Sequence, residues 1–70
     1  MEKYNVVDMM SNGIESALFI LGEFDTKEKA ADFANKKGYE KQKELYLLTE
    51  KETTELIKTL RINHVYKPKK

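Results

Sequence analysis

Tyr4-Asn5-Val6-Val7-Asp8-Met9-Met10-Ser11-Asn12-Gly13-Ile14-Glu15-Ser16-Ala17-Leu18-Phe19-Ile20-Leu21 decides the fold. Asn12-Gly13 is the strongest turn signal in the chain, because a two-residue type I′ hairpin turn needs positive φ at both central positions. Centred there, the turn pairs Met10 with Glu15, Asp8 with Ala17, Val6 with Phe19 and Tyr4 with Leu21. One face of the ribbon then carries Tyr4, Val6, Ala17, Phe19 and Leu21, and the other carries Val7, Met9, Ile14, Leu18 and Ile20. A longer loop through Glu15 and Ser16 changes this register. Both faces are apolar, so the hairpin is either covered twice or leaves one face for a partner.

Downstream, Asp25 with Glu28 three positions on reads as an acidic capping box, which opens a helix. Ala30, Ala31, Phe33 and Ala34 supply its apolar stripe, Lys36 and Lys37 suit its C-terminal dipole, and Gly38 suits a left-handed cap. Tyr39 to Lys43 reads as a polar connection. Leu45 to Leu48 fits a buried strand or the middle of a helix from Glu40 to Leu60. Thr49 followed by Glu52 marks a fresh helix start, which favours the strand, and Leu56, Ile57 and Leu60 form the new stripe. Asn63 suits a helix stop, and His64-Val65-Tyr66 suits a short last strand. The expected class is α+β, a ββαβα order with or without a final β. It has an N-terminal hairpin and helices packed on three or four strands. Residues 1–66 form one domain and 67–70 a basic tail.

Seventy residues hold one core at most, and such a core supplies only about 3–5 kcal/mol. There is no cysteine and a single histidine, His64, so disulfides, thiolate metal sites and a histidine cluster are excluded. Self-association is the stabilising device left. An apolar content of 40% beside 36% charged residues suits a folded chain, and no apolar run approaches membrane-spanning length. Met1-Glu2-Lys3-Tyr4 lacks the basic start of a secretory leader, so the expected location is cytoplasmic.

Charge is unevenly spread. Residues 1–28 carry six acids against two lysines, whereas residues 29–70 carry eleven bases against six acids. Lys58, Arg61, Lys67, Lys69 and Lys70 follow one another with no acid between, and Tyr66 lies among them. Cations neutralise phosphates, and Tyr66 or His64 offers a ring to an unpaired base. The competing reading is a solvated tail, since the whole chain is only +1. Asp8, Glu15, Glu23, Asp25 and Glu28 form a possible acidic strip. Gly22 marks a bulge or a close approach by the first helix. Gly13, Gly22 and Gly38 are too far apart for a phosphate loop, and no nucleophile–base pair or metal set can be assembled.

The ββαβα order is similar to that of the hybrid-binding domain at the start of some RNase H enzymes. This chain has no tryptophan and lacks that family's aromatic and glycine signature, so no residue is carried across. Its Lys-, Glu- and Asn-rich style resembles that of small proteins of low-GC bacteria and their phages.

The expected function is a non-enzymatic protein-binding or regulatory module, a homodimer included. Its contact surface is the second hairpin face: Val7, Met9, Ile14, Leu18 and Ile20. The alternative is a nucleic-acid-binding accessory protein using Lys58, Arg61, Tyr66, Lys67, Lys69 and Lys70. Neither reading calls for a cofactor or a metal, and the partner is an unidentified protein, a second copy or nucleic acid, not a membrane.

Overall fold

The computed structural model describes residues 2–67. Its elements are β1 (Tyr4–Ser11), β2 (Ser16–Phe24), α1 (Lys27–Lys41), β3 (Tyr46–Thr49), α2 (Glu50–Thr59) and β4 (His64–Tyr66). The class is α+β as expected, with the final strand present. All four strands form one sheet in the order β3-β1-β2-β4.

Strand β1 runs antiparallel to both β2 and β3, while β4 runs parallel to β2. Strands β2, β3 and β4 therefore point the same way. The chain crosses the sheet through α1 from β2 to β3, then crosses back through α2 from β3 to β4. Connections of this kind are right-handed in about 98% of cases. Two right-handed crossovers running in opposite directions place their helices on opposite faces. The packing agrees. Phe33 of α1 meets Phe24 at 5.1 Å, whereas Leu56 and Ile57 of α2 pack on Val7, Leu18 and Ile20. Val6 and Val7, adjacent on β1 and aimed at opposite faces, are both buried.

The hairpin turn is longer than expected. Ser11 pairs with Ser16, Met10 with Ala17, Asp8 with Phe19 and Val7 with Ile20, leaving a four-residue loop. Asn12 does not take the positive φ of a type I′ turn; only Gly13 does, at 89°. The Asn12 side chain instead accepts from the amides of Ile14 and Glu15, at 3.0 and 2.8 Å. That local bond is an Asx-type turn, and it outcompetes the tighter loop. Apart from Ile14, which moves into the loop, the expected face groupings survive between the turn and Val7, because the pairing shifts by two residues. They change past Val7, where a bulge skips Leu21 and brings Val6 opposite Gly22. A Cβ on Gly22 would lie 2.9 Å from the Phe24 ring and 3.4 Å from the Phe33 ring. Gly22 thus serves the bulge and the close approach of α1 together.

Helix α1 starts one residue later than expected. Thr26 is its cap, accepting from the Lys29 amide at 3.2 Å, and Asp25 with Glu28 forms no box. The helix also runs through Gly38 to Lys41 and ends at Gln42 in the left-handed region, φ 55°. Gly38 is required for a different reason. The Lys43 amide returns to the Gly38 carbonyl at 3.0 Å, and a Cβ on Gly38 would sit 2.9 Å from the Lys43 carbonyl oxygen. Helix α2 has the expected box: Thr49 Oγ1 accepts from the Glu52 amide at 3.1 Å, and Glu52 accepts from the Thr49 amide at 2.9 Å. Hydrogen bonding to the carboxylate from the Thr49 amide first, and from the Thr49 side chain second, holds the Glu52 carboxyl below its ordinary value of 4.5. Asn63 is not the stop. The turn after α2 is made by Arg61 at φ 50°.

Candidate binding surface

The face expected to meet a partner is the internal one. Val7, Leu18 and Ile20 are buried, and Met9 packs against them with Leu56, Ile57 and Ile62. Ile14 does not belong to this group, because the longer loop carries it to the hairpin tip, 89% exposed. The reason is topological: the return crossover lays α2 on this side. Asn5 Nδ2 donates to Thr53 Oγ1 at 3.1 Å, and both residues are buried, so the helix is pinned as well as packed. Val7, Met9, Ile14, Leu18 and Ile20 therefore form no docking surface: four of them pack under α2, and Ile14 stands apart at the hairpin tip.

The opposite face is the open one, and only at its turn end. Helix α1 shields Val6 and Phe24 at the end away from the turn, and Lys43 closes over the buried Asp8 carboxylate at 2.8 Å. Beyond Asp8, Met10 is 58% exposed, and Ala17 and Phe19 continue the surface. Strand β4 widens it. Its register puts His64 beside Ala17 and Tyr66 beside Phe19. That register is fixed by Asn63, whose amide donates to the Ser16 carbonyl while its side-chain oxygen accepts from the Ser16 amide, both at 3.1 Å.

The result is a row of three near-parallel rings. Phe19 and Tyr66 stack at 4.9 Å with 13° between planes, and His64 lies 6.2 Å from Tyr66 at 25°. A groove of about 290 Å³ runs beside them, walled by Met10 and Ala17 and rimmed by Ser11, Asn12, Glu15 and Ser16. Glu15 reaches to 3.7 Å of His64 Nε2, an ion pair when the imidazole is protonated.

The expected basic cluster is divided. Tyr66 is in the ring row and Lys67 follows it directly. Lys58 belongs to the last turn of α2, on the helix layer of the other face, and Arg61 sits in the turn between. Lys69 and Lys70 lie outside the described residues. The acidic strip is dispersed too. Asp8 is buried and paired, Glu15 turns to His64, and Glu23 pairs with Asn5 on the α2 side of the sheet. Among the described residues, no group of three or more His, Asp or Glu side chains converges as a metal would require. Nor is any described helix long and apolar enough to cross a membrane.

Phe19 and Asn63 were not singled out from sequence as site residues. Phe19 reads as one core residue among several until β4 is known to lie beside it. Asn63 acts across 47 residues of chain, and nothing local announces that. In comparison with known proteins, the chain matches no family model, no curated protein and no solved structure.

Proposed function

We propose that this chain is a non-enzymatic binding module that takes an unpaired nucleic-acid segment on the row Phe19, Tyr66 and His64. The observation that carries the reading is the row itself, three near-parallel rings standing on an uncovered stretch of sheet. Stacking on aromatic side chains is worth about 1–3 kcal/mol per base and tolerates any base, since each has a π-face. Lys67 next to Tyr66 and the basic end of the sequence supply cations for phosphates. With a net charge of +1 the electrostatic share is small, so stacking dominates and affinity is modest. The absence of cysteine suits a reducing compartment such as the cytoplasm. A protein-contact role needs a surface other than the hairpin face now occupied by α2.

The test is fluorescence anisotropy of labelled single-stranded oligonucleotides, DNA and RNA, in low and in moderate salt. Expected is binding at low salt that Tyr66→Ala weakens by about 5- to 100-fold, the loss of one stacked base. Duplexes of the same length bind less well. Absence of binding at low salt, or unchanged affinity in Tyr66→Ala, overturns the reading.

A further inference from the structure

Among the described residues, strand β4 is an edge with its outer side open. It pairs with β2 alone, and among the described residues no strand lies beyond it. Edge strands are usually protected by shortness, a charge, a proline or a covering element, because their free amides and carbonyls invite another strand, and β4 with three residues has shortness alone within the strand. His64-Val65-Tyr66 contains no lysine, acid or proline. Two of its three residues are apolar or aromatic and exposed, Val65 at 40% and Tyr66 at 50%.

We infer that β4 joins β4 of a second copy, antiparallel about a two-fold axis through Val65, making one continuous eight-stranded sheet. The hydrogen-bond alternation favours this pairing. The Asn12 amide bonds to the Glu15 carbonyl, which starts the β1–β2 ladder so that Ala17 and Phe19 turn their backbone groups to β1. Ser16 and Leu18 then turn theirs to β4, as the two Ser16–Asn63 bonds show for Ser16. In β4 the same alternation aims His64 and Tyr66 at β2 and leaves the Val65 amide and carbonyl pointing outward. Under a two-fold axis those two groups satisfy each other in both copies.

The side chains suit the same axis. Val65 meets its own counterpart, an apolar pair on the α2 side of the sheet. On the other face, His64 of each copy comes opposite Tyr66 of its neighbour, which extends two ring rows into one. One step further out, Lys67 comes opposite Asn63 of the neighbour, so no like charges meet across the pair. A three-residue strand brings a small interface, below the roughly 1,200 Å² of stable complexes, so the association is weak and reversible. This inference does not rest on the base-stacking reading, and nucleic acid is left out of its test.

Sedimentation equilibrium of the full chain, from about 10 μM to 2 mM, covers the range in which such an interface acts. Expected is a mass rising from one copy toward two, and no higher, since a two-fold contact closes on itself. Val65→Lys places like charges directly opposite and holds the mass at one copy throughout. As a second measurement, Val65→Cys introduces the only thiol in the chain. Residues facing each other in such a pair have Cα atoms about 5.5 Å apart, inside the range a disulfide spans. Under mild oxidation this variant forms a covalent dimer many-fold faster than Ile14→Cys at the exposed hairpin tip. A single-copy mass at the highest concentration overturns the inference. So does a dimer that Val65→Lys leaves intact, or equal crosslinking rates for the two cysteine variants. Strand addition by a foreign peptide alone, with no self-association, overturns it as well.

Discussion

Replacing Thr53 with valine keeps the shape of the side chain and removes the hydroxyl that joins β1 to α2. Thr53 Oγ1 accepts from Asn5 Nδ2 at 3.1 Å and donates to the Thr49 carbonyl at 2.8 Å. Both Asn5 and Thr53 are buried. Two effects oppose each other. The added methyl gains at most about 0.8 kcal/mol from burial. The amide of Asn5 is left in the interior without its partner, which costs about 1–3 kcal/mol. Helix propensity barely distinguishes threonine from valine, so it does not enter. The desolvation loss wins, and Thr53→Val is expected to destabilise by about 1–2 kcal/mol. That is a large share of the roughly 3–5 kcal/mol available to a chain of this size.

The assay is urea unfolding followed by far-ultraviolet circular dichroism. With a slope of about 1 kcal/mol per molar urea for a small protein, the midpoint falls by about 1–2 M. A second variant separates the stranded amide from other causes. In Asn5→Leu with Thr53→Val both partners are gone and no polar group is abandoned, so much of the stability returns. A midpoint that Thr53→Val leaves in place would refute the reasoning. A double variant as unstable as the sum of its parts would refute it equally.

Gly38→Ala tests the close return of the chain after α1. Alanine normally favours a helix over glycine by about 1 kcal/mol. Here its Cβ would meet backbone oxygen at 2.9 Å, so the thermal midpoint should fall, and a rise would show that the return is not tight. Glu52→Ala tests the capping box through pH. The folded chain holds the Glu52 carboxyl below 4.5, so the contribution is complete above that value and is lost as pH falls through the lowered one. The variant should be less stable than the parent at pH 7, and the gap should close in acid. An unchanged gap in acid would mean the effect is not the carboxylate's.

Local chemistry was legible in the sequence, and distant pairing was not. Thr49 and Glu52 announce α2 because each satisfies an amide of the other within one turn of chain. The strand before it follows from that start, so Tyr46–Thr49 lies close to the expected Leu45–Leu48. Asn12-Gly13 announces a turn but not its length, since asparagine can take a left-handed backbone or bond its own neighbours, and here the second wins. Thr26 beat Asp25 to the cap for a similar reason: both can do it, and only one faces the first free amides. Which hairpin face is covered depends on β3 pairing with β1 instead of β2. That pairing sets the direction of both crossovers and hence the side on which α2 falls. No window of sequence contains it.

Strand β4 is the element on which the functional readings converge, and little holds it. Its three residues are all exposed, and they rest on β2 through a short ladder, the Asn63–Ser16 clamp and the Phe19–Tyr66 stack. Such an element stands at the low end of local stability. A base stacked on Tyr66 stabilises β4 against β2, and so does a second copy seated at Val65. Yet both need the same free face of Tyr66, and two ligands that exclude one another do so by equal amounts, whichever binds first. In the dimer the neighbour's His64 stands opposite Tyr66, on the ring face that Phe19 leaves free, so dimerisation should weaken oligonucleotide binding, and oligonucleotide should lower the dimer fraction at fixed protein concentration. Because Val65 lies on the other face of the sheet from the ring row, Val65→Lys should remove that competition and leave the single-copy binding in place at every protein concentration.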